Sequence, residues 1–551
     1  MKRTTRLRPV ALGVAAMLAT SAHATEIEVS NPDLKLRWDN TIKYSNSWRV
    51  KRQSEELIGA INQDDGDRNF NRGLISNRFD VLSEFDVSYK GFGARVSGAA
   101  WYDTVYNRST DNTSAATANA FSVPYNDFTA ATERLHGRKA ELLDAFLFGK
   151  FELGESNATF RVGRHTLLWG ESLFFGANGI AGGQASVDIV KALSVPNTQF
   201  KELIRPTPQI SAQLQLSSTL SIGAYYQWRW QKNRFPAVGS YFSTVDVLDD
   251  GGERLLVGSP VVPGGGPLAF FRGQDIEAKN SGQGGAQVRF RLGETDYGLY
   301  AIRYHDKSPQ LYMRPTATDP VTGRVGEYLW AYPENIKSFG ASVSHTFGDV
   351  NVAGEVSIRR NTPLASGGQV DLFGVLPPSL GGPTEAGDNR GNPLYAVGNS
   401  AHAQISWVAS LGPSFISREA DFLGEIAWNR RTSITKNSAA LNPNADKEAF
   451  NLRFIYEPKF RQAWSGLDLS VPVGLGYGIG NSSVVGSFNG NHVGDVSVGL
   501  NGLYLNAWRI GLTYTHFFGP EGAFLDSRNL NSFKQSLKDR DFISLSIQRT
   551  F

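Results

Sequence analysis

The sequence predicts an all-β fold, a transmembrane antiparallel β-barrel of about 18 strands (about 16 is the alternative count) with a short helical plug or loop insertion. Three observations predict it. In the last residues Ile543, Leu545, Ile547 and Phe551 alternate with Ser544, Ser546, Gln548 and Thr550, giving a strand that lies between two different solvents. The sequence ends on the aromatic Phe551, which suits a closed barrel whose last strand pairs with its first and leaves no edge. Between the ends, hairpins with short turns are joined by long loops, the asymmetry that transmembrane barrels show.

The amino terminus supplies the export signal this fold requires. Lys2, Arg3, Arg6 and Arg8 form a basic head, residues 10–19 a short apolar run, and Ala22-His23-Ala24 a small-residue cleavage site. Residues 1–24 therefore read as a cleaved signal peptide and residues 25–551 as the barrel, placed in a bacterial outer membrane. The apolar run is shorter than the about 20 residues a helix needs to cross a bilayer. With no Cys, the chain has no thiol for lipid attachment, disulfides or thiolate metal sites. The formal charge is +3, and the four positive charges of the leader leave −1 on the mature chain, so no basic balance points to nucleic acid. A mean hydropathy of −0.27 argues against helical spans but not against strands with one wet face. No linker or shift in composition divides the chain.

In order, strand one covers 34–50, with Leu36, Trp38, Ile42, Tyr44 and Trp48 on one parity and aromatics toward its ends, as interfacial belts place them. Hairpins follow at 79–89 with 96–106, 142–152 with 158–165, 210–216 with 220–230, and 286–292 with 297–304. Further pairs are 339–347 with 350–359, 401–411 with 420–428, 450–456 with 467–477, and 496–504 with 508–516, before the last strand stands alone. An even count puts both termini on the periplasmic side. The long loops, 51–73, 107–139, 232–283, 305–334, 361–399 and 518–538, then lie outside the cell. A soluble propeller would show a blade-length repeat, and none is present.

If apolar parity faces lipid, Arg78, Asp80, Glu84, Asp86, Arg95, Asp103, Arg289, Arg291, Glu355, Arg359, Glu425, Arg453 and Arg509 face the lumen. An Arg or Lys on the lipid side at midplane costs about 2–4 kcal/mol, so parity turns these charges inward. Two roles are open to them: mutual neutralisation in the wall, or a ring that selects among solutes. Both signs are present, which argues against a strongly anion-selective pore.

One stretch breaks the hairpin rhythm. From Arg161 the sequence runs through Arg164, His165, Trp169, Gly170, Glu171, Ser172, Phe174 and Phe175 into a Gly-rich segment ending near Gln184. Residues 187–193 and 200–204 then read as two short helices, stopped by Pro206 and Pro208. Helices cannot sit in lipid beside strands, so residues 167–209 are expected to plug the lumen or cap its mouth. Arg164, His165, Trp169, Glu171, Ser172, Phe174 and Phe175 are the plug or gate candidates; the aromatics would give a ligand an apolar face beside polar anchors.

Asn62 to Asn71 with Ser76-Asn77-Arg78, Gly163-Arg164 with Trp169-Gly170-Glu171-Ser172, Glu355 to Arg359 with Asn361 and Pro363, and Glu425 to Asn429 carry a resemblance. The chain resembles a proteobacterial outer-membrane, porin-like family whose members carry domain of unknown function one-three-zero-two, over nearly the whole mature length. The resemblance implies a porin-like barrel, periplasmic or RND-type exporter partners, and movement of hydrophobic compounds. It also implies no catalytic residues. The C-terminal strand further resembles the signal read by the barrel-assembly machinery, which with outer-membrane lipid completes the expected partners.

Other chemistries find little support. There is no Gly-x-Ser-x-Gly elbow and no His-Glu-x-x-His pair, and His165 near Glu171 and Ser172 is the one tempting cluster. Asp64, Asp65 and Asp67 offer the hard oxygens calcium takes but lack the full spacing of a known loop, so they read as a solvated turn. No cofactor or metal is expected. The sequence therefore points to a non-enzymatic, monomeric or weakly trimeric channel for hydrophobic or amphipathic small molecules. The alternatives are a general diffusion porin, or a structural or adhesive barrel with partner-binding outer loops.

Overall fold

The computed structural model describes residues 25–551 except Glu155; the leader read over residues 1–24 lies outside them. Eighteen wall strands close into one antiparallel barrel. They are β1 Leu34–Arg49, β2 Gly73–Tyr89, β3 Phe92–Asp103, β4 Arg138–Leu153, β5 Ser156–His165 and β6 Thr207–Ser217. Next come β7 Leu220–Gln227, β8 Gln283–Leu292, β9 Thr295–Tyr304, β10 Ile336–Phe347, β11 Val350–Pro363 and β12 Val397–Leu411. The ring is completed by β13 Glu419–Lys436, β14 Glu448–Trp464, β15 (Leu467–Ser470 and Val473–Ile479), β16 Gly494–Tyr504, β17 Trp508–Phe518 and β18 Phe542–Thr550.

Closure is the pairing of β1 with β18, from Thr41 opposite Thr550 to Arg49 opposite Phe542. The short strand Thr25–Ile27 pairs with β1 at Leu36 to Trp38, beyond the reach of β18, and so extends the seam. β15 is broken at Val471-Pro472, where proline has no N–H to give the ladder; the Pro472 carbonyl still accepts the Gly499 N–H at 2.8 Å.

Alternation sets the faces. Along β18, Ser544, Ser546 and Gln548 are buried inward, whereas Ile547 is exposed on the outer surface with Trp38, Leu147, Leu299, Ile405 and Val498. Every expected strand is present, with shifted ends. β13 has 18 residues, well past the roughly 9–11 that a tilted strand needs to cross lipid. The strand expected over 220–230 stops at Gln227, because the Trp230 ring turns into a loop core against Tyr332, with centroids 4.8 Å apart.

Short turns share one end with the termini. Between β2 and β3, Lys90 (φ 48°) and Gly91 (φ 85°) are both left-handed, as a two-residue hairpin requires. At the other end the long loops fold together. Arg254–Gly258, Leu268–Arg272, Gln310–Pro315, Arg324–Ala331 and Gln369–Val370 form a five-stranded sheet. Phe70, Ile75, Tyr106, Phe128, Tyr241 and Phe242 form one loop-end core, and Trp230, Val247, Tyr328, Trp330 and Tyr332 another.

Candidate functional site

After His165 the chain leaves the wall and returns only at Thr207. Between them it builds a 3-10 turn at Ile180–Gly183, a helix at Ile189–Ser194 and a helix at Phe200–Leu203. The Asp188 side chain caps the first helix by accepting the Lys191 N–H at 3.0 Å, and Gln199 with Glu202 forms a capping box on the second. Pairing of Ser186–Val187 with Ile204–Arg205 ties the helical excursion at its base.

Wall charges grip this segment by its backbone. Glu425 on β13 accepts the N–H groups of Leu173 (3.2 Å), Phe174 and Phe175 (2.8 Å) and the Ser172 hydroxyl (3.2 Å). Glu355 on β11 accepts from Glu171 N–H at 2.8 Å and Ile180 N–H at 2.6 Å. Four residues along the same strand, and on the same face, Arg359 Nη2 donates to the carbonyls of Ala177, Asn178 and Gly179 at 2.9, 2.7 and 2.8 Å. The approach is close enough that a Cβ on Gly179 would stand 2.8 Å from Glu355 Oε1. Charge-assisted bonds of this kind are about twice as strong as neutral ones.

The far end of the segment is held by other strands. Lys201 pairs with Glu84 on β2, Lys43 on β1 donates to the Pro196 carbonyl at 3.4 Å, and Asn197 donates to Ser546 on β18 at 2.8 Å. On β4, Glu141 meets Arg234 at 2.5 Å, and Arg234 meets Asp188 at 2.6 Å. The segment thus crosses the lumen from β11–β13 to β18, β1 and β2.

Register places all thirteen expected charges on the inner face. Glu84, Glu355, Arg359 and Glu425 hold the segment, and Arg289 lies 3.6 Å from Glu171. Others pair within the wall: Arg78 with Asp80 (2.7 Å), Arg95 with Asp86 (2.6 Å), Arg291 with Asp296 (2.7 Å) and Arg453 with Asp495 (3.2 Å). Asp103 accepts from Ser76 at 2.5 Å. Arg509 stands opposite Gln548, itself opposite Lys43, which fixes its face.

The plug candidates divide. Trp169 is not open to a ligand, contrary to expectation: it is 7% exposed, edge-on to Tyr225 at 4.9 Å and packed with Tyr300 and Ile180. Phe175 is partly exposed against Phe488 at 5.5 Å, and Leu173 and Phe174 are also partly exposed. His165 and Ser172 do not meet in a hydrogen bond: His165 Nε2 bonds Ser211 Oγ at 2.8 Å, while Ser172 serves Glu425. Arg164 ends half-buried in the wall, its buried Nε without an acceptor.

Sequence reasoning missed Gln184, Asn178 and Lys307. Gln184 Oε1 accepts the Trp169 N–H at 2.5 Å, Asn178 lies between His402 and Asn429, and Lys307 donates to the Gly183 carbonyl at 2.9 Å. No local pattern marks them, since each meets a partner distant in sequence.

Among solved structures, the chain is similar to Acinetobacter baumannii OccAB4, at 10% identity over 96% of this chain and 99% of that one, with a TM-score of 0.42. For Acinetobacter baumannii OccAB2 the identity is 10%, the coverage 94% and 98%, and the TM-score 0.43. Pseudomonas aeruginosa OpdK with vanillate gives 10% identity, 94% and 98% coverage and a TM-score of 0.40. Values this low carry none of those proteins' properties to this chain. No curated protein sequence matches it. The model of the family described as "Protein of unknown function (DUF1302)" matches residues 6–551, and the chain belongs to that family.

Proposed function

We propose that the protein is an outer-membrane channel whose lumen segment limits passage to hydrophobic or amphipathic small molecules. One observation carries the reading. The segment's backbone is fixed by wall charges, while Leu168, Leu173 and Phe174 remain partly exposed within the lumen. Apolar side chains on a braced crosspiece suit a solute that sheds water as it passes, with Glu171 and Arg289 as a polar anchor. The family resemblance supports a periplasmic or RND-type exporter as partner, and the terminal Phe551 strand supports insertion by the barrel-assembly machinery. A barrel with partner-binding outer loops is the second reading, favoured by the two hydrophobic cores that stiffen the loop end.

Single-channel conductance of the refolded protein, with and without long-chain alkanes, fatty acids and sterols, tests the channel reading. A closed or flickering current modulated by these compounds is expected. A large ohmic current indifferent to them would make the protein a general diffusion porin.

A further inference from the structure

At the long-loop end three carboxylates converge from two loops: Asp64 and Asp65 after β1, and Asp246 after β7. One carboxylate oxygen of each lies within 4.8 Å of those of the other two, at residues 0%, 5% and 0% exposed. Each carboxylate has one oxygen engaged by the protein. Asp64 Oδ2 accepts from Arg68, Asp65 Oδ2 from the Asn119 N–H at 3.1 Å, and Asp246 Oδ2 from the Asp65 N–H at 3.1 Å. The remaining oxygen, Oδ1 of all three, is buried and has no donor.

A second kind of orphan adjoins them. Asn119 is 1% exposed and comes from a third loop, between β3 and β4; its amide N–H donates to Asn62 at 2.6 Å, and its own Oδ1 has no donor. Arg68 is taken up by the Asp64 Oδ2, and the other nearby cations are engaged elsewhere. Arg254 donates to the carbonyls of residues 118–120, and Arg540 to those of Tyr241 and Ser243. Asp67 does not join the cluster, because its carboxylate faces Arg49 at 2.5 Å. Burial pushes Asp65 and Asp246 upward; the neighbouring Asp64 charge adds to the rise at Asp65, and Asp65 and Asp64 add to it at Asp246. Unpaired buried oxygens are rare because each costs free energy, and like-charged ones in a dry site also repel.

We propose that Asp64, Asp65 and Asp246, with the Asn119 Oδ1, bind a calcium ion that clasps three surface loops together. The donors are all hard oxygens, without nitrogen or sulfur, which suits calcium over transition metals. Sites of extracellular modules bind it at about 10⁻⁴–10⁻³ M, a range suited to loops outside the cell.

The test is calcium titration of the full refolded chain in detergent, read by calorimetry and by limited proteolysis of the loops. One saturable site with a Kd of about 10⁻⁴–10⁻³ M is expected, with loop cleavage slowed roughly tenfold or more by calcium relative to chelator. Asp65→Asn with Asp246→Asn should remove both effects while the barrel keeps its folded, heat-modifiable mobility. Should that variant not fold, wild-type titration with calcium against magnesium decides, calcium alone protecting the loops. Absence of saturable calcium binding up to about 10 mM, well above that range, overturns the proposal. So does binding that is unchanged in the double variant.

Discussion

Glu355 and Glu84 stand nine strands apart on an eighteen-stranded ring, yet both hold the same inserted segment, through the Glu171 N–H at 2.8 Å and the Lys201 ammonium. Half the circumference separates β2 from β11, so the segment is a crosspiece between opposite walls. Its two ends are held by different strands, so each can be tested by its own substitution.

Glu425→Gln keeps an acceptor but loses the charge that three successive N–H groups share. Hydrogen bonds to charged groups are worth about 1.5–3 kcal/mol each, so a local loss of about 2–3 kcal/mol is expected at residues 173–175. Hydrogen exchange there should speed up roughly 30-fold or more with the barrel intact. Unchanged protection would show that the carboxylate does not hold the segment.

Trp169 and Phe174 should part company. Trp169→Ala empties a packed aromatic site and is expected to cost about 3–5 kcal/mol, loosening the crosspiece whatever solute is present. Phe174→Ala, at a partly exposed site, should leave stability within about 1 kcal/mol and weaken the response of the current to hydrophobes. Equal effects of the two on thermal unfolding would contradict this division.

Arg49 bridges Asp67 at 2.5 Å and Asp539 at 2.8 Å, its side chain wholly buried, and so joins the loop after β1 to the loop before β18. Arg49→Met leaves two buried carboxylates without the cation they share, at an expected cost of about 3–5 kcal/mol to the loop end. Protease cleavage within 519–541 should accelerate; a loop as resistant as wild type would refute the bridge.

His136 lies in the loop between β3 and β4, stacked on Tyr106 at 4.8 Å and accepting the Ala237 N–H at 3.1 Å. Burial, helped by Arg78 and Arg234, pushes its pKa from the ordinary 6.5 to about 3. The folded value is depressed, so its contribution is complete above pH 6.5 and is lost as pH falls toward about 3. Acid should therefore loosen this loop in wild type, as read by proteolysis across pH 7 to about 3.5, and a His136→Gln variant should show a shallower acid slope. Identical slopes would exclude the histidine as the cause.

The wall was legible because its signal is local. A period of two, such as Ile543, Leu545 and Ile547 against Ser544, Ser546 and Gln548, is written into each strand, and it also turned Glu355 and Glu425 inward. The loop end was not legible: Leu268–Arg272 pairs in parallel with Arg324–Ala331, and no short window of sequence records such a match. The same reason hid Asp246 from Asp64 and Asp65. For Trp169 the residue type was read correctly and its surroundings were not, since Tyr225 and Tyr300 lie on other strands.

At the β11–β13 side the wall holds the crosspiece mainly by peptide groups: Glu425 by N–H groups at 173–175, Arg359 by carbonyls at 177–179. Peptide groups are common to all residues, so such anchors place few demands on the side chains they position. Substitutions at Leu173 or Phe174 can then be inherited without redesigning the barrel. A lineage could change what it admits by drift in a few codons, with the eighteen strands as a conserved chassis.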